Sequence, residues 1–432
     1  MAQRIPASER TSQRIRDLLK NGLEGDGDQL KSNFVQLAVR KVLEEMLEGE
    51  VTDVLNRDYY RHGAEDGGYR NGYRQGRLKT AEGEVQYAAP QVSDRPEPFR
   101  SQLREILGGR TDELERLAVE MYARGLSTRD IEAATRDEKG QALLSKSAVS
   151  EITERLWEEY EAFATRDLSE FEIAYLFIDG LAERLRPGQK KDAVLGAWGI
   201  DFEGKKHLLH LSPGTKEDTE SVQAFIQDMK RRGLRDPLLV TTDGAGGLVR
   251  AVDESFPRSE RQRCLFHKMR NLQTKVPETV WPEFKDHARA CYQAPSIELA
   301  RSLKGDVVKR YEKELPTAVH CFVEDFEACI AYLRFPLNHR RSIRTTNLLE
   351  RLFEEERRRT KVIPHAFGER PLMKLMFAAT IRASEHWRGI RTTPFDRQQL
   401  EMIRKELTEA FKKRHAATNR NAPSRVSSST GT

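Results

Sequence analysis

The stretch Tyr175-Leu176-Phe177-Ile178-Asp179-Gly180 constrains the fold more than any other part of the chain. A short, unbroken apolar run suits a strand buried on both faces. A carboxylate at its C-terminal end then stands at the rim of the sheet, held by rigid backbone and open to a ligand. Pro237-Leu238-Leu239-Val240-Thr241-Thr242-Asp243-Gly244 has the same form. Asp-Gly also marks ordinary turns, so the two carboxylates meet only if their strands are neighbours.

The surrounding pattern makes them neighbours. Strands are expected at Ile173–Asp179, Ala193–Asp201 and His207–Leu211, the last two joined by a turn at Glu203-Gly204. An amphipathic helix over Thr219–Arg232, a strand over Leu238–Asp243, a helix over Leu248–Ser255 and a strand over Gln262–Phe266 follow. Three meandering strands, then helix, strand, helix and strand, is the order of a ribonuclease-H-like domain, in which the first strand is central and pairs with the fourth. Two close carboxylates stay ionised together only beside a cation. Hard divalent ions with oxygen ligands, Mg²⁺ first, suit such a pair.

A third carboxylate is expected from a later helix. Thr345-Thr346-Asn347-Leu348-Leu349-Glu350-Arg351-Leu352-Phe353-Glu354 places Glu350 and Glu354 on one helix face, with Thr345 or Thr346 as cap. From Arg340 to Lys361 there are eight Lys/Arg against four Glu, a basic setting for nucleic-acid phosphates. A solvated charged helix has the same composition. The residues alone leave Glu350 and Glu354 both open.

The upstream third looks like a set of binding modules. Residues 1–58 read as helical, with a break at Gly22–Asp28. Phe34, Leu37, Ala38, Val42, Met46 and Leu47 form a helical stripe, and an acidic end (Glu44, Glu45, Glu48, Glu50) suits packing against a partner better than contact with DNA. Residues 59–100 interleave Tyr69 and Tyr73 with Arg70, Arg74 and Arg77 around a turn-forming Asn71-Gly72, ahead of a hairpin about Ala81-Glu82-Gly83. Arginines track phosphates and aromatics stack on bases, so this reads as a nucleic-acid surface or else as a solvated hairpin. Residues 101–165 hold three helices: Asp112–Arg124 closed by Gly125, a short one opened by a Ser127/Asp130 capping box with Arg129 beside it, and one begun by Ser145-Lys146-Ser147 and ending near Phe163. Small polar residues at a third-helix N-terminus suit a major groove, the helix-turn-helix pattern.

Together these motifs resemble the Mutator-type transposases of bacterial insertion sequences. The matching pieces are YRNGY at 69–73, MYARGLSTRDI at 121–131, LFIDG at 176–180, TTDGAGGL at 241–248, CLFHKMRN at 264–271 and TTNLLERLFEEERRRTKVIPHAF at 345–367, in the family's order. The resemblance implies an α+β multidomain chain: a ribonuclease-H-like mixed sheet with an all-helical insertion, preceded by helical, helix-turn-helix and small β-hairpin DNA-binding modules. The catalytic core would span 166–272 and 340–410 around an insertion at 273–339; beyond it, the acid-free composition after Glu409 reads as a basic disordered tail at 411–432. It implies a DDE triad of Asp179, Asp243 and Glu350 holding two Mg²⁺ ions, with Mn²⁺ as substitute. Cys264, His267, Asn347 and Arg351 would lie adjacent, and Arg357, Arg358, Arg359 and Lys361 would join Arg70, Arg74, Arg77, Arg129, Ser145, Lys146 and Ser147 on DNA. Activity would be 3′-end nicking and strand transfer at terminal inverted repeats. Partners would be double-stranded DNA, both element ends and target, bound by a homodimer or higher oligomer. A catalytically silent DNA-binding regulator of the same fold is the alternative, and a nuclease without strand transfer the third.

Composition narrows the setting. Mean hydropathy is −0.69 and no apolar run reaches the ~20 residues that span a bilayer. The first residues lack a secretory apolar core. Cys264, Cys291, Cys321 and Cys329 are too few for a disulfide framework, which fits a bacterial cytoplasm and, for a DNA enzyme, the nucleoid. Cys264-x-x-His267 offers two zinc ligands where a structural site wants four; His287 and Cys291 complete a set only on paper. Trp198, Trp281 and Trp387 are candidates for base stacking, although burial is the commoner fate of tryptophan.

Overall fold

The computed structural model describes residues 5–21, 27–61, 68–137, 140–183, 192–213, 219–347, 369–385 and 387–420. The chain forms two compact units, Met1–Arg155 and Leu156–Thr432.

In the first unit, helices α1 (Ala7–Asn21) and α2 (Gly27–Leu55) precede a two-stranded antiparallel hairpin, β1 (Tyr69–Thr80) and β2 (Gly83–Ser93). Leu43 and Leu47 of α2 pack against Leu78, Val85, Tyr87 and Ala89 of the hairpin. The buried stripe of α2 is therefore Leu43, Leu47, Val51 and Leu55, while Phe34, Val42 and Met46 from the expected stripe are exposed. The rotation goes with Glu44, an acid turned fully inward. Its carboxylate accepts from Thr11 Oγ1 (2.5 Å), Arg40 Nε (2.9 Å) and the Ala88 N–H (2.9 Å). One turn on, Glu48 accepts from the Ala7 N–H (2.7 Å), the Ser8 N–H (3.3 Å) and the Tyr73 hydroxyl (2.8 Å), which satisfies first-turn donors of α1. The acidic end of α2 thus fastens its neighbours.

Asn71-Gly72 is a bulge within β1, where the register shifts between Arg70 and Tyr73 and Gly72 takes φ +72°. The chain reverses at Ala81-Glu82, within the expected hairpin turn, with Thr80 opposite Gly83. After a short α3 (Gln102–Ile106) come α4 (Asp112–Ala123), α5 (Thr128–Ala134) and α6 (Lys146–Thr165). Thr111 caps α4, and the Ser127/Asp130 capping box opens α5. Leu114, Ala118, Ile131, Val149 and Ile152 are buried. The division between units falls inside α6, because Tyr160 and Phe163 near its end join the core of the second unit.

The second unit is built on a mixed five-stranded sheet. Its strands are β3 (Ile173–Glu183), β4 (Asp192–Asp201), β5 (Lys206–Pro213), β6 (Leu239–Thr242) and β7 (Glu260–Arg263), in the order β5-β4-β3-β6-β7. β3 is central, antiparallel to β4 and parallel to β6. The continuous apolar run of β3 splits by the period of two. Leu176 and Ile178 face α7 (Thr219–Arg231) and α8 (Gly246–Ser255), packing with Phe225, Ile226, Leu248 and Val252. Tyr175 and Phe177 face the other layer. That layer comprises α9 (Leu265–Gln273), α10 (Trp281–Tyr292), α11 (Ile297–Tyr311), α12 (Pro316–Val323), α13 (Phe326–Ile330), α14 (Leu337–Ile343), α15 (Glu369–Glu385) and α16 (Pro394–Arg420). The helical stretch expected after β7 is present as α10 to α14, whereas the disordered tail expected from residue 411 is corrected over its first ten residues: α16 continues through Arg420, with Lys412 paired to Glu409 at 2.8 Å. Trp198 is buried, stacked on Phe177 with centroids 3.9 Å apart; it is a core residue closed to bases. Among the described residues no helix is long and apolar enough to cross a membrane.

Candidate active site

The β3–β6 register pairs Ile178 with Thr242. The next residues, Asp179 and Asp243, therefore stand on adjacent parallel strands at one edge of the sheet, on the face that Phe177 and Thr241 share. Asp179 continues β3, whereas Asp243 ends β6 in a tight turn. Its Oδ1 accepts the Ala245 N–H at 2.9 Å, and Gly244 takes φ +79°, a conformation that favours glycine. Asp179 is 4% exposed. Its Oδ1 accepts the Gly180 N–H at 2.9 Å, while Oδ2 is buried without a hydrogen-bond partner. Burial chiefly, with a contribution from Asp243, pushes the Asp179 carboxyl up to about 7; His267, Thr346 and the Gly180 N–H oppose the rise. Two carboxylates with an orphaned buried oxygen are the donor chemistry of a hard divalent cation. Among the described residues no third His, Cys, Asp or Glu completes a metal-holding group.

A second strand of chain is stitched along this edge. Thr241 Oγ1 donates to Ile343 O (2.9 Å), and the Leu265 N–H donates to Arg344 O (3.0 Å). The Thr346 N–H and hydroxyl approach Cys264 Sγ at 3.4 and 3.5 Å. Cys264 continues the ladder by donating its N–H to Thr242 O (2.8 Å) and is the N-cap of α9. The strand expected over Gln262–Phe266 therefore ends at Arg263, and His267 lies in the first helical turn, half-buried and close enough to Asp179 to hold its pKa down. Burial raises the Cys264 thiol, but contacts from His267 and Thr346 outweigh it and the net shift is downward. Thr346, expected only as a helix cap, is fully buried against Cys264, and Asn347 follows with a buried, unpartnered Oδ1. Glu350, Arg351, Glu354, Arg357, Arg358, Arg359 and Lys361 lie outside the described residues. His287 is bonded through Nδ1 to the Tyr311 hydroxyl (2.9 Å), and Cys291 is buried within α10, so the four-ligand zinc set is not assembled.

The upstream basic residues divide. Arg70 is held by Thr52 Oγ1 (2.9 Å) and by the Arg57 and Asp58 carbonyls, over the Tyr59 ring. It fastens the end of α2 to the hairpin, because a half-buried guanidinium keeps acceptors in place of the water it has lost. Arg74 is exposed, and Arg77 is exposed with Glu84 at 3.9 Å. Arg129, Ser145, Lys146 and Ser147 are all exposed. The Ser145 hydroxyl accepts from the Ala148 N–H (3.3 Å) and caps α6. One residue that the motifs did not single out is Arg263, buried at the end of β7 beside the turn that carries Asp243. Its one trace in the sequence is Gly244, the position it packs against.

Comparison with known proteins places this architecture in a class. Residues 13–389 match the family described as Transposase, Mutator family, and the chain belongs to that family. It is 31% identical over 351 residues to the transposase for insertion sequence element ISRM5 of Rhizobium meliloti, covering 81% of this chain and 87% of that one. It is 32% identical over 275 residues to the transposase for IS6120 of Mycolicibacterium smegmatis, covering 62% of this chain and 84% of that one. With the transposase for IS256 in transposon Tn4001 of Staphylococcus aureus it shares 28% identity over 365 residues, covering 83% and 92%.

Proposed function

We propose that this chain is a DDE transposase that binds the terminal inverted repeats of its own insertion sequence, nicks the 3′ ends and transfers them to target DNA. The observation that carries the reading is the pairing of Asp179 and Asp243 at one sheet edge, with Asp179 Oδ2 buried and unpartnered. A central β3, antiparallel to β4 and parallel to β6, supports a ribonuclease-H-like arrangement. Asp179 and Asp243 would hold Mg²⁺, or Mn²⁺ in its place, and Glu350 would supply the third carboxylate. Asn347, three residues ahead of Glu350 in the sequence, stands at this edge with a buried, unpartnered Oδ1. Bound there, a pair of divalent ions supplies charge for the attacking and leaving oxygens of an in-line phosphoryl transfer.

The chain's own groups then do the positioning. Asp179 and Asp243, fixed on neighbouring strands, set where the scissile phosphodiester lies. His267 and Asn347 stand beside it with donors or acceptors for the same phosphate. Water attacks first and exposes a 3′-hydroxyl; that hydroxyl then attacks a target phosphodiester, so only the nucleophile changes between steps. Arg74, Arg77, Arg129, Lys146 and the Arg357–Lys361 run would track DNA phosphates. Joining two ends calls for a homodimer or higher oligomer on DNA.

The test is incubation of the protein with labelled element-end DNA and Mg²⁺, with strand-transfer products read on a gel. Nicked and joined products are expected with the wild type. Binding without any product, with Mg²⁺ or Mn²⁺, would instead favour a silent DNA-binding regulator; nicking without joining would indicate a nuclease. In the same assay Glu350→Gln should be inactive. If the helix expected from Asn347 onward forms, Glu354→Gln should keep substantial activity, since one helical turn would move a carboxylate by about 5–6 Å, beyond the slack of ligand distances near 2.1 Å. An active Glu350→Gln beside an inactive Glu354→Gln would move the third ligand by one turn.

A further inference from the structure

The turn that carries Asp243 leads directly into α8, ten residues that begin at Gly246. Its N-cap is Ala245, no side chain caps it, and no acidic residue lies in its first turn. First-turn N–H groups of a helix have no intrahelical acceptor. At Gly246 the space is open: a Cβ built there meets nothing within 4 Å. Beneath the same turn sits Arg263, 6% exposed. Its guanidinium is pressed against Gly244, so close that a Cβ on that residue would lie 1.5 Å from Nη1. Nε and Nη1 are buried without a hydrogen-bond partner, as is the hydroxyl of Thr242, the residue paired with Arg263 across the β6–β7 ladder. Among the described residues no carboxylate lies within 4 Å of Arg263.

A buried, unpartnered cation is costly, and placing it under the positive end of a helix dipole adds repulsion. One anion relieves both, because the guanidinium fork and the first-turn N–H groups are each donors to phosphate oxygens. Asp243 does not serve: its Oδ1 is taken by the Ala245 N–H, and it belongs to the carboxylate pair. We propose that the N-terminus of α8 and the Arg263 guanidinium form a pocket for one backbone phosphate of bound DNA, next along the strand from the phosphate that is cut. The inference rests on the DNA-transposase reading and adds a residue that sets where the strand lies. Gly244 is what lets the guanidinium approach, and Gly246 is what leaves the phosphate room.

The experiment uses the full chain and element-end DNA. Gly246→Asp adds a negative charge in the pocket, yet an acid in the first turn complements the helix dipole. The variant should therefore melt no lower than the wild type while binding end DNA about tenfold more weakly, the equivalent of one lost charged hydrogen bond. Its slope of log affinity on log salt should fall by about 0.9, the mark of one phosphate contact. Gly246→Asn, neutral and of the same size, should weaken binding less than Gly246→Asp, the difference reading the charge of the pocket and the remainder its space. Arg263→Gln should lose the same slope, and Arg263→Lys should regain part of it. End DNA carrying single methylphosphonates should show one position beside the cut that weakens the wild type and leaves Gly246→Asp indifferent. A Gly246→Asp protein that binds and nicks like the wild type at every salt concentration overturns the pocket and leaves the transposase reading standing. A wild type that binds no end DNA overturns both.

Discussion

At the scale of single residues, Asp179 is a carboxyl held at a cost to stability, as expected of a group kept for the proposed role. Its carboxyl is almost wholly buried, one oxygen lacks a partner, and burial raises its pKa to about 7. The contribution of such a group is fully present below its unfolded value of 3.8 and is lost as pH rises through about 7. In chelator at pH 8, Asp179→Asn should therefore melt higher than the wild type by about 2 °C or more, since ~1 kcal/mol of relief shifts a domain of this size by that much. On the proposed reading, in which this group would hold a cation rather than phosphate, the same variant should lose strand transfer entirely while keeping end-DNA binding within a few-fold. Calorimetry and the gel assay check the two halves. A variant that still turns over, or one that melts lower in chelator, would remove Asp179 from this role. The run into Asp179-Gly180 was legible in the sequence because an apolar strand end leaves few other places for a carboxylate. Arg263 was not, since a lone arginine ahead of Cys264 carries no local pattern and its burial depends on Gly244, nineteen positions earlier.

At the scale of elements, the five strands of the second unit were legible to within a few residues, and local chemistry explains the differences. β3 is longer than the apolar run because its ladder with β4 continues through Glu183 opposite Asp192. β7 is shorter because Cys264 caps a helix. The face of α2 was not legible: hydrophobic spacing alone could not show that Glu44 turns inward to take donors from α1 and β2 as well as from Arg40 on its own helix. A comparable polar contact joins β5 to α7, where His210 stacks on Phe225 (4.6 Å), with Nε2 3.4 Å from Asp228 and Arg232 beside it. Burial, then Arg232, lower the His210 pKa from 6.5 to about 4, against the pull of Asp228. A depressed histidine keeps its stabilising share above the unfolded value and loses it as pH falls from about 6.5 toward 4, because the unfolded chain takes the proton first. His210→Gln should therefore lose less of its melting temperature between pH 7 and pH 5 than the wild type does. Equal losses in a thermal scan at the two pH values would show that His210 does not set this window.

At the scale of the whole molecule, the chain separates into two units whose cores are built differently: a hairpin and capped helices in one, a sheet covered on both faces in the other. The sequence predicts a boundary near residue 165, but the aromatic end of α6 belongs to the second core, where Tyr160 and Phe163 pack against Phe377. A fragment ending at Arg155 leaves those rings out. It should bind terminal-repeat DNA over random DNA, with affinity falling steeply as salt rises, because its lysines and arginines displace counterions. Within it the arginines of the hairpin should behave in two ways. Arg74 is exposed, so Arg74→Gln should lower the salt slope by about 0.9 and leave the melting temperature unchanged. Arg70 is bound to Thr52, Arg57 and Asp58, so Arg70→Gln should lower the melting temperature, removing three hydrogen bonds that tie the end of α2 to the hairpin, two of them part-buried. Binding titrations across salt, paired with thermal melts of each variant, read both effects. If Arg74→Gln leaves the slope untouched, the hairpin is not on the DNA path, and repeat recognition falls to Arg129 and the Ser145–Ser147 end of α6.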